Sequence, residues 1–539
     1  MTPDMLLVHA KNRAWEDTAV NQLIKTLGDA IVGVSSGFDR LVFQGMIRPI
    51  MYPEGAMSFF QRRRILFKDA KRWVVEQTEH LVNAVEEWSK RECGEGITYL
   101  PSTNIRKEAE ARRRQQERKV TVGPIGVWSC VEAGGSYRLV PAQGAPRLRY
   151  VQTRCKHLYT YLDHPDYGFM SIRMQTWFPY RIQIAVNGRE WLARQLDKAG
   201  VGFTRVGNKI HEVSDFSAMQ PLLDQQLRTD WCSMLDSFVP IAFPTIRSTL
   251  DNELLHYSWN VWQSEWASDL LFKSRADLDQ VIDAAVRHAF IGGHPERLLR
   301  YFDRPTRNDG QVRSNSRRPL KTTVTDFDEG HRVRHWLESN SVKLYNEGNV
   351  LRIETTVNDP YAFRAYRRKQ GAPRDAAKKL RPLRKGVADN TLRALVSQNV
   401  NNRFADHLAT MRSDTPLRDI LHNVTVRKRK RGRSVRALDP FGKDASLLTA
   451  IADPRFSVNG FRNKHLRLVL ADDPAFIDKT DKQRSAKVSR LLRLLRDHGV
   501  IRRLPKARRY QLTSSGRQLT TALLAALSAS TEELTRIAA

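Results

Sequence analysis

Residues 331–356 read HRVRHWLESNSVKLYNEGNVLRIETT and gather side chains with the means for chemistry: His331, His335, Lys343, Tyr345 and Glu354. The runs 331–336, 341–345 and 350–357 have the composition of strands, and Asn346-Glu347-Gly348-Asn349 supplies turn residues, so the last two runs should pair as a hairpin. A spacing of four puts His331 and His335 on one face of a straight strand. A tyrosine hydroxyl is a poor nucleophile until a metal or cationic neighbours lower the barrier. A carboxylate and imidazoles on neighbouring strands can hold Mg2+ or Mn2+ beside it. The same stretch also suits a plainer purpose, in which Lys343, Arg352 and Glu354 make cross-strand ion pairs on an ordinary sheet.

The pieces VKLYN and LRIETT resemble a strand pair in rolling-circle replication initiators. That resemblance implies Tyr345 as the nucleophile on a DNA phosphodiester and Lys343 as the group that neutralises phosphate charge. It implies Glu354 as a metal ligand or base, and His331 and His335 as metal ligands. The chain departs from the pattern twice. Its histidines stand four apart instead of flanking one hydrophobic residue, and Glu347 occupies the place where a lysine often follows YN. A second set of donors is Glu132, Asp163, Asp166 and Glu190 with His157 and His164, though Asp163-His-Pro-Asp166-Tyr-Gly168 reads first as a turn between strands. No P-loop, dinucleotide fingerprint or HExxH pattern occurs, which removes those nucleotide and zinc-protease chemistries.

The elements around these residues point to nucleic acid. In residues 484–513, Val488, Leu491, Leu492 and Leu495 form an apolar helical stripe, with Lys482, Arg490 and Arg493 on the other face. Gly499 marks the helix end. Two strand-like runs follow, 500–504 and 509–513, joined by the basic turn Pro505-Lys506-Ala507-Arg508, and an apolar helix runs from Leu519 to about Leu527. The order over residues 457–528 resembles the winged helix-turn-helix domains of bacterial regulators and mobile-element proteins. It implies a major-groove helix and a wing on phosphate, with Lys482, Lys487, Arg490, Arg493, Lys506, Arg508 and Arg509 as contacts. A winged helix used for protein contact or dimerisation is the alternative.

Composition agrees. The chain of 539 residues carries a formal charge of +31, which is costly through self-repulsion unless a polyanion is the partner. The run RKRKRGRSVR at 427–436 is the densest, and Arg427, Lys428, Arg429, Lys430 and Arg431 should track phosphate. The four cysteines, Cys93, Cys130, Cys155 and Cys232, show no metal spacing and read as reduced thiols. Without a signal peptide or a membrane-spanning run, the expected setting is cytoplasmic and nucleoid-associated.

The expected fold is α+β and multidomain, with a helical N-terminal region, central mixed domains with a mostly antiparallel sheet, and a C-terminal winged helix. The composition shifts suggest a helical domain at 1–105, a basic linker helix at 106–119 and an α+β domain at 120–240. A helical segment at 241–302 follows, with Tyr257, Trp259, Trp262 and Trp266 on one face, then a polar linker at 303–329. The rest reads as a β-hairpin plus helices at 330–420, a basic linker at 421–445 and the winged helix at 446–539. In the central sheet, Tyr150, His157, Tyr159, Tyr161, Tyr167, Phe169, Trp177, Phe178 and Tyr180 interleave with Lys156, Arg173 and Arg181, either as a base-stacking surface or as an aromatic core. Two functions stay open. One is a DNA-binding protein of a plasmid or transposable element, with or without the activity of a metal-dependent nicking endonuclease or replication initiator. The other is a noncatalytic RNA-binding scaffold or transcriptional regulator. Duplex DNA is the first expected partner, with RNA or single-stranded DNA as alternatives; a homodimer fits either function.

Overall fold

The computed structural model of the chain describes residues 23–24, 27–141, 146–250, 254, 256–293, 295–304, 320–327, 330–373, 375–409, 417–430, 432–453, 456, 460–503, 509–528 and 530. The fold is mixed α+β with a mostly antiparallel sheet, and the chain divides into two compact units. Val32–Arg275 with Glu347–Asn399 form the first, and Ala276–Asn346 with Val400–Ala539 belong to the second.

The first unit opens with β1 (Ile31–Met46), α1 (Pro53–Arg62), α2 (Ala70–Cys93), β2 (Thr98–Tyr99) and α3 (Lys107–Glu117). It continues through β3 (Gly123–Val140), β4 (Arg147–His164), β5 (Gly168–Gln175), β6 (Ile182–Asn187) and α4 (Gly188–Lys198). Then come β7 (Phe203–Val206), β8 (Lys209–Val213), α5 (Met219–Gln226) and β9 (Ser258–Phe272). In the second unit lie α6 (Arg275–Ile291), α7 (Pro295–Tyr301), β10 (Leu320–Phe327), β11 (Gly330–Leu337) and β12 (Asn340–Glu347). The chain returns with β13 (Val350–Val357), β14 (Arg364–Arg367), β15 (Lys379–Pro382) and α8 (Asn390–Leu408). It ends with α9 (Leu417–Thr425), β16 (Lys428–Lys430), β17 (Arg433–Val435), α10 (Ala445–Ala452), α11 (Asn463–Val469), α12 (Asp481–Asp497), β18 (Ile501–Arg503), β19 (Tyr510–Leu512) and α13 (Ser514–Ser528).

The sheet of the first unit runs β13-β9-β1-β6-β5-β4-β3-β2. β6 shows its cause plainly: Ile182, Ile184 and Val186 alternate inward against half-buried partners, a period of two. Asn187 then caps α4, its side-chain oxygen accepting from the backbone N–H of Arg189 and Glu190. Two expectations are corrected here. The N-terminal region carries the helices α1 and α2, and ahead of them β1 crosses the sheet. Its glycines admit close neighbours: a Cβ on Gly37 would sit 2.6 Å from Leu223, and one on Gly45 2.6 Å from Trp259. Residues 258–272 form a strand rather than a helix, and Trp259 and Trp266 are buried while Trp262 is exposed. Finally, 107–117 is no detached linker. Ala111 is buried, Arg112 lies 3.6 Å over the Phe169 ring and Arg114 4.2 Å over Trp128, so α3 packs on the sheet by cation–π contact.

In the second unit, β10, β11 and β12 make an antiparallel meander, with Arg332 opposite Tyr345 and Arg334 opposite Lys343. His335 faces the buried side, where the Tyr301 and Phe404 rings lie 6.2 Å and 5.5 Å away. A separate apolar cluster holds the C-terminal elements, joining Val424, Leu438, Leu447, Leu466, Val488, Leu495 and Leu519. It takes in the segment expected as a basic linker. That segment forms the hairpin β16–β17 instead, tied down where His498 Nε2 meets the Arg436 carbonyl at 2.8 Å. In the first unit, residues 379–382 form a strand paired with β14.

Candidate functional site

The buried heart of the first unit is ionic. Strand alternation puts Arg352, Glu354 and Thr356 on one face of β13, and their cross-strand partners on β9 are Asp269, Ala267 and Glu265. Arg352, fully buried, forks onto Asp269 (Nε to Oδ1 2.5 Å, Nη2 to Oδ2 2.8 Å) and donates from Nη1 to Asp39 Oδ1 at 2.7 Å. Its Nη2 also meets the Asn208 carbonyl at 3.0 Å. Arg189, at the start of α4, reaches Asp269 Oδ2 at 3.1 Å. Burial alone would raise the Asp269 carboxyl, but Arg189 and Arg352 outweigh it and hold the group below its ordinary range. Lys209 on β8 pairs with Glu347, and burial, with Arg352 close by, pushes its ammonium down to about 8.

Beside this network, Asp39, Glu265 and Glu354 each present a carboxylate oxygen, and these oxygens all lie within 4.8 Å of one another. Asp39 and Glu354 are buried, and Glu265 is half-buried. Of the residues singled out in the sequence, Glu354 therefore stands among acids. Asp39 and Glu265 were missed. A charged residue inside the apolar run of β1 was the available signal for the first. Glu265 was hidden in the tryptophan-rich segment taken for a helix.

The other candidates fall in the second unit. Lys343 and Tyr345 share the half-buried face of β12, with Lys343 Nζ 5.0 Å over the Tyr345 ring. Arg332, Arg334 and Trp336 occupy the matching face of β11, and the Arg334 guanidinium lies 3.8 Å over the Trp336 ring. His331 meets Asp326 at 2.8 Å. Both ring nitrogens of His335 are engaged, Nδ1 with Thr322 Oγ1 at 2.9 Å and Nε2 with the Ala289 carbonyl at 3.0 Å. Burial pushes its pKa down to about 4, so the ring is a neutral part of the packing and offers no lone pair to a metal without rearrangement.

The second set of acids is neutralised in place. Glu132 accepts from Tyr159, Lys107 and Arg173, Asp163 from Arg194 and Gln115, Glu190 from Arg205, and Asp166 from Lys198. His157 is buried with its pKa lowered to about 4 by desolvation. The aromatics around it are core: among those singled out, only Tyr150 is exposed. Arg173 is held by Glu132 and Tyr159, Arg181 lies over the Tyr150 ring and Lys156 over Tyr99.

On the C-terminal elements, Lys482, Arg490 and Arg493 are exposed along α12, whose opposite side buries Val488, Leu492 and Leu495. Lys487 instead donates to the Ala475 carbonyl at 2.9 Å and covers the Phe476 ring. Arg427, Arg429 and Lys430 are exposed and Lys428 half-buried on the β16–β17 hairpin, which abuts the end of α12 through Lys430 Nζ and the Asp497 carbonyl at 3.4 Å. Arg509 is half-buried, its pKa lowered by burial and by Arg462. Arg431, Lys506 and Arg508 lie outside the described residues. All four cysteines are free thiols, with Cys232 exposed. Among the described residues no helix is long and apolar enough to cross a membrane.

No protein-family model, no curated protein and no solved structure matches this chain.

Proposed function

We propose that the chain is a nucleic-acid-binding protein whose first partner is duplex DNA, serving a plasmid or transposable element. One observation carries the reading: α12 exposes the row Lys482, Arg490 and Arg493, and its C-terminal end meets a second basic element, the β16–β17 hairpin. Helix, helix and short hairpin follow in the order of a winged helix-turn-helix, and the bridge from Phe461 to Tyr510 adds the third short strand. That arrangement supports α12 in the major groove with the hairpins on flanking phosphates. Metal-dependent strand nicking is the finer part of the proposal. Tyr345 is its candidate nucleophile and Lys343 the neighbouring cation, and the nitrogens of His335 are already engaged in the packing.

A second reading has its own support. Trp336 and Tyr345, with Arg332, Arg334 and Lys343, give the meander a basic and aromatic face of the kind that stacks unpaired bases. Competition for the full-length protein by duplex DNA, single-stranded DNA and structured RNA, each read by fluorescence anisotropy, decides between them. The duplex should compete best. Preference for structured RNA overturns the DNA reading and makes the protein an RNA-binding scaffold.

A further inference from the structure

We infer that Asp39, Glu265 and Glu354 form a binding site for one hard divalent cation, Mg2+ or Mn2+. Their oxygens fit a single ion. Two ligands on opposite sides of a cation stand apart by twice the metal–oxygen distance, about 4.2 Å for Mg2+ and about 5 Å for Ca2+. The triad's oxygens lie within 4.8 Å of one another, so small side-chain adjustments close them on Mg2+ or the slightly larger Mn2+. The donors are all carboxylate oxygens, the set that suits these ions rather than zinc or copper.

A second, independent feature points into the same place. Thr356 is fully buried, and its Oγ1 has no hydrogen-bond partner among the described residues. It is the cross-strand partner of Glu265 and lies two residues from Glu354, on the same face of β13. A buried hydroxyl left unsatisfied is costly, and a metal-bound water or the metal itself supplies what it lacks. Opposite Glu354 the chain places Ala267, the smallest side chain on that stretch of β9, so the acid faces a methyl group rather than a bulky neighbour.

Glu265, the half-buried member, marks the side from which the ion exchanges with solvent. This site lies within the first unit, and the binding of its ion does not rest on the proposed function.

The test is a titration of the full-length protein, freed of metal by chelation, with Mn2+, free ion being read by electron paramagnetic resonance. The expected result is one Mn2+ per chain, displaced by Mg2+, with affinity weakened at least about tenfold in both Glu265→Gln and Glu354→Gln. Because Glu354 is fully buried, its variant is accepted only with an unchanged circular dichroism spectrum; Glu265→Gln, half-buried, carries the test alone if that variant unfolds. Asp166→Asn, in an acid paired on the surface with Lys198, should bind Mn2+ like the parent. Absence of stoichiometric binding, or binding that survives Glu265→Gln, overturns the site. Duplex affinity measured in chelator is a separate readout, so loss of the metal site and loss of the nucleic-acid reading are told apart.

Discussion

Lys343 Nζ stands 5.0 Å over the ring of Tyr345, two residues further along β12 and on the same half-buried face. The ammonium lies over the π-face, so the pair works as a unit: a flat aromatic surface with a positive charge held close to it. Tyr345→Phe keeps that surface and removes the hydroxyl. Single-strand affinity should stay within about twofold, whereas Tyr345→Ala should weaken it by about 1–3 kcal/mol, the usual worth of one stacked base. If strand nicking is observed with the parent protein, Tyr345→Phe should abolish it; full cleavage by that variant removes the tyrosine as nucleophile.

Arg490 and Arg493 project from α12 into solvent, away from the apolar side made by Val488, Leu492 and Leu495. Replacing both by alanine should leave the melting temperature nearly unchanged and weaken duplex binding. Each phosphate contact contributes about 0.9 to the slope of log affinity against log salt, so the double variant should flatten that slope by about 1.8. An unaltered slope, measured by anisotropy between low and moderate salt, would mean that another surface carries the duplex.

Arg352 is fully buried and holds two carboxylates at once. Arg352→Met should destabilise the first unit by about 3–5 kcal/mol, because it leaves Asp39 and Asp269 buried with less compensation. Arg352→Lys should be intermediate, since an ammonium keeps the charge and loses the fork. Urea denaturation followed by tryptophan fluorescence reads both. A loss below about 1 kcal/mol in the methionine variant would show that the network is bystander chemistry.

His335 makes stability depend on pH in a definite direction. Its folded pKa is lowered to about 4 by burial, while an imidazole in the unfolded chain titrates near about 6.5. Between those values the unfolded chain binds more protons. The stability of the second unit is therefore full above about pH 6.5 and falls as pH drops toward about 4, by roughly 3 kcal/mol from this ring alone. His288 and His407, stacked at 4.4 Å and both lowered by burial, act in the same sense. Chemical denaturation across this range should show the decline, and His335→Gln should make it shallower.

The parts of this molecule legible in the sequence are those where local pattern and tertiary role agree. β11 and β13 announce themselves by strand composition, β7–β8 by Gly207-Asn208, and the entry to α4 by Asn187. The apolar stripe of α12 does so by helical period. What escaped depends on partners distant in sequence. β1 carries glycines at 33, 37 and 45, a loop-like composition, yet those positions are where Phe216, Leu223 and Trp259 crowd the backbone. β9 spaces its tryptophans three and four apart, a helical period, and is a strand because its neighbours in the sheet are strands. The acid triad was half visible for that reason: Glu354 lies on a readable strand, and Asp39 and Glu265 lie on the two unreadable ones.

Arg352 and Asp39 stand 313 residues apart in the chain and meet in one hydrogen bond. During synthesis β1 emerges first, gains β6 only after residue 187 and β9 only after residue 272, and waits for residue 352 before its buried aspartate is answered. Until residue 272 the long β1 has an unpaired edge, and until residue 352 the nascent chain carries an acid meant for the interior. Such a contact order makes for slow closure and a prolonged window for edge-to-edge association. Fragments ending before residue 357 should collect in the insoluble fraction, and the intact protein should gain more from slow, chaperone-assisted expression than its surface charge would suggest.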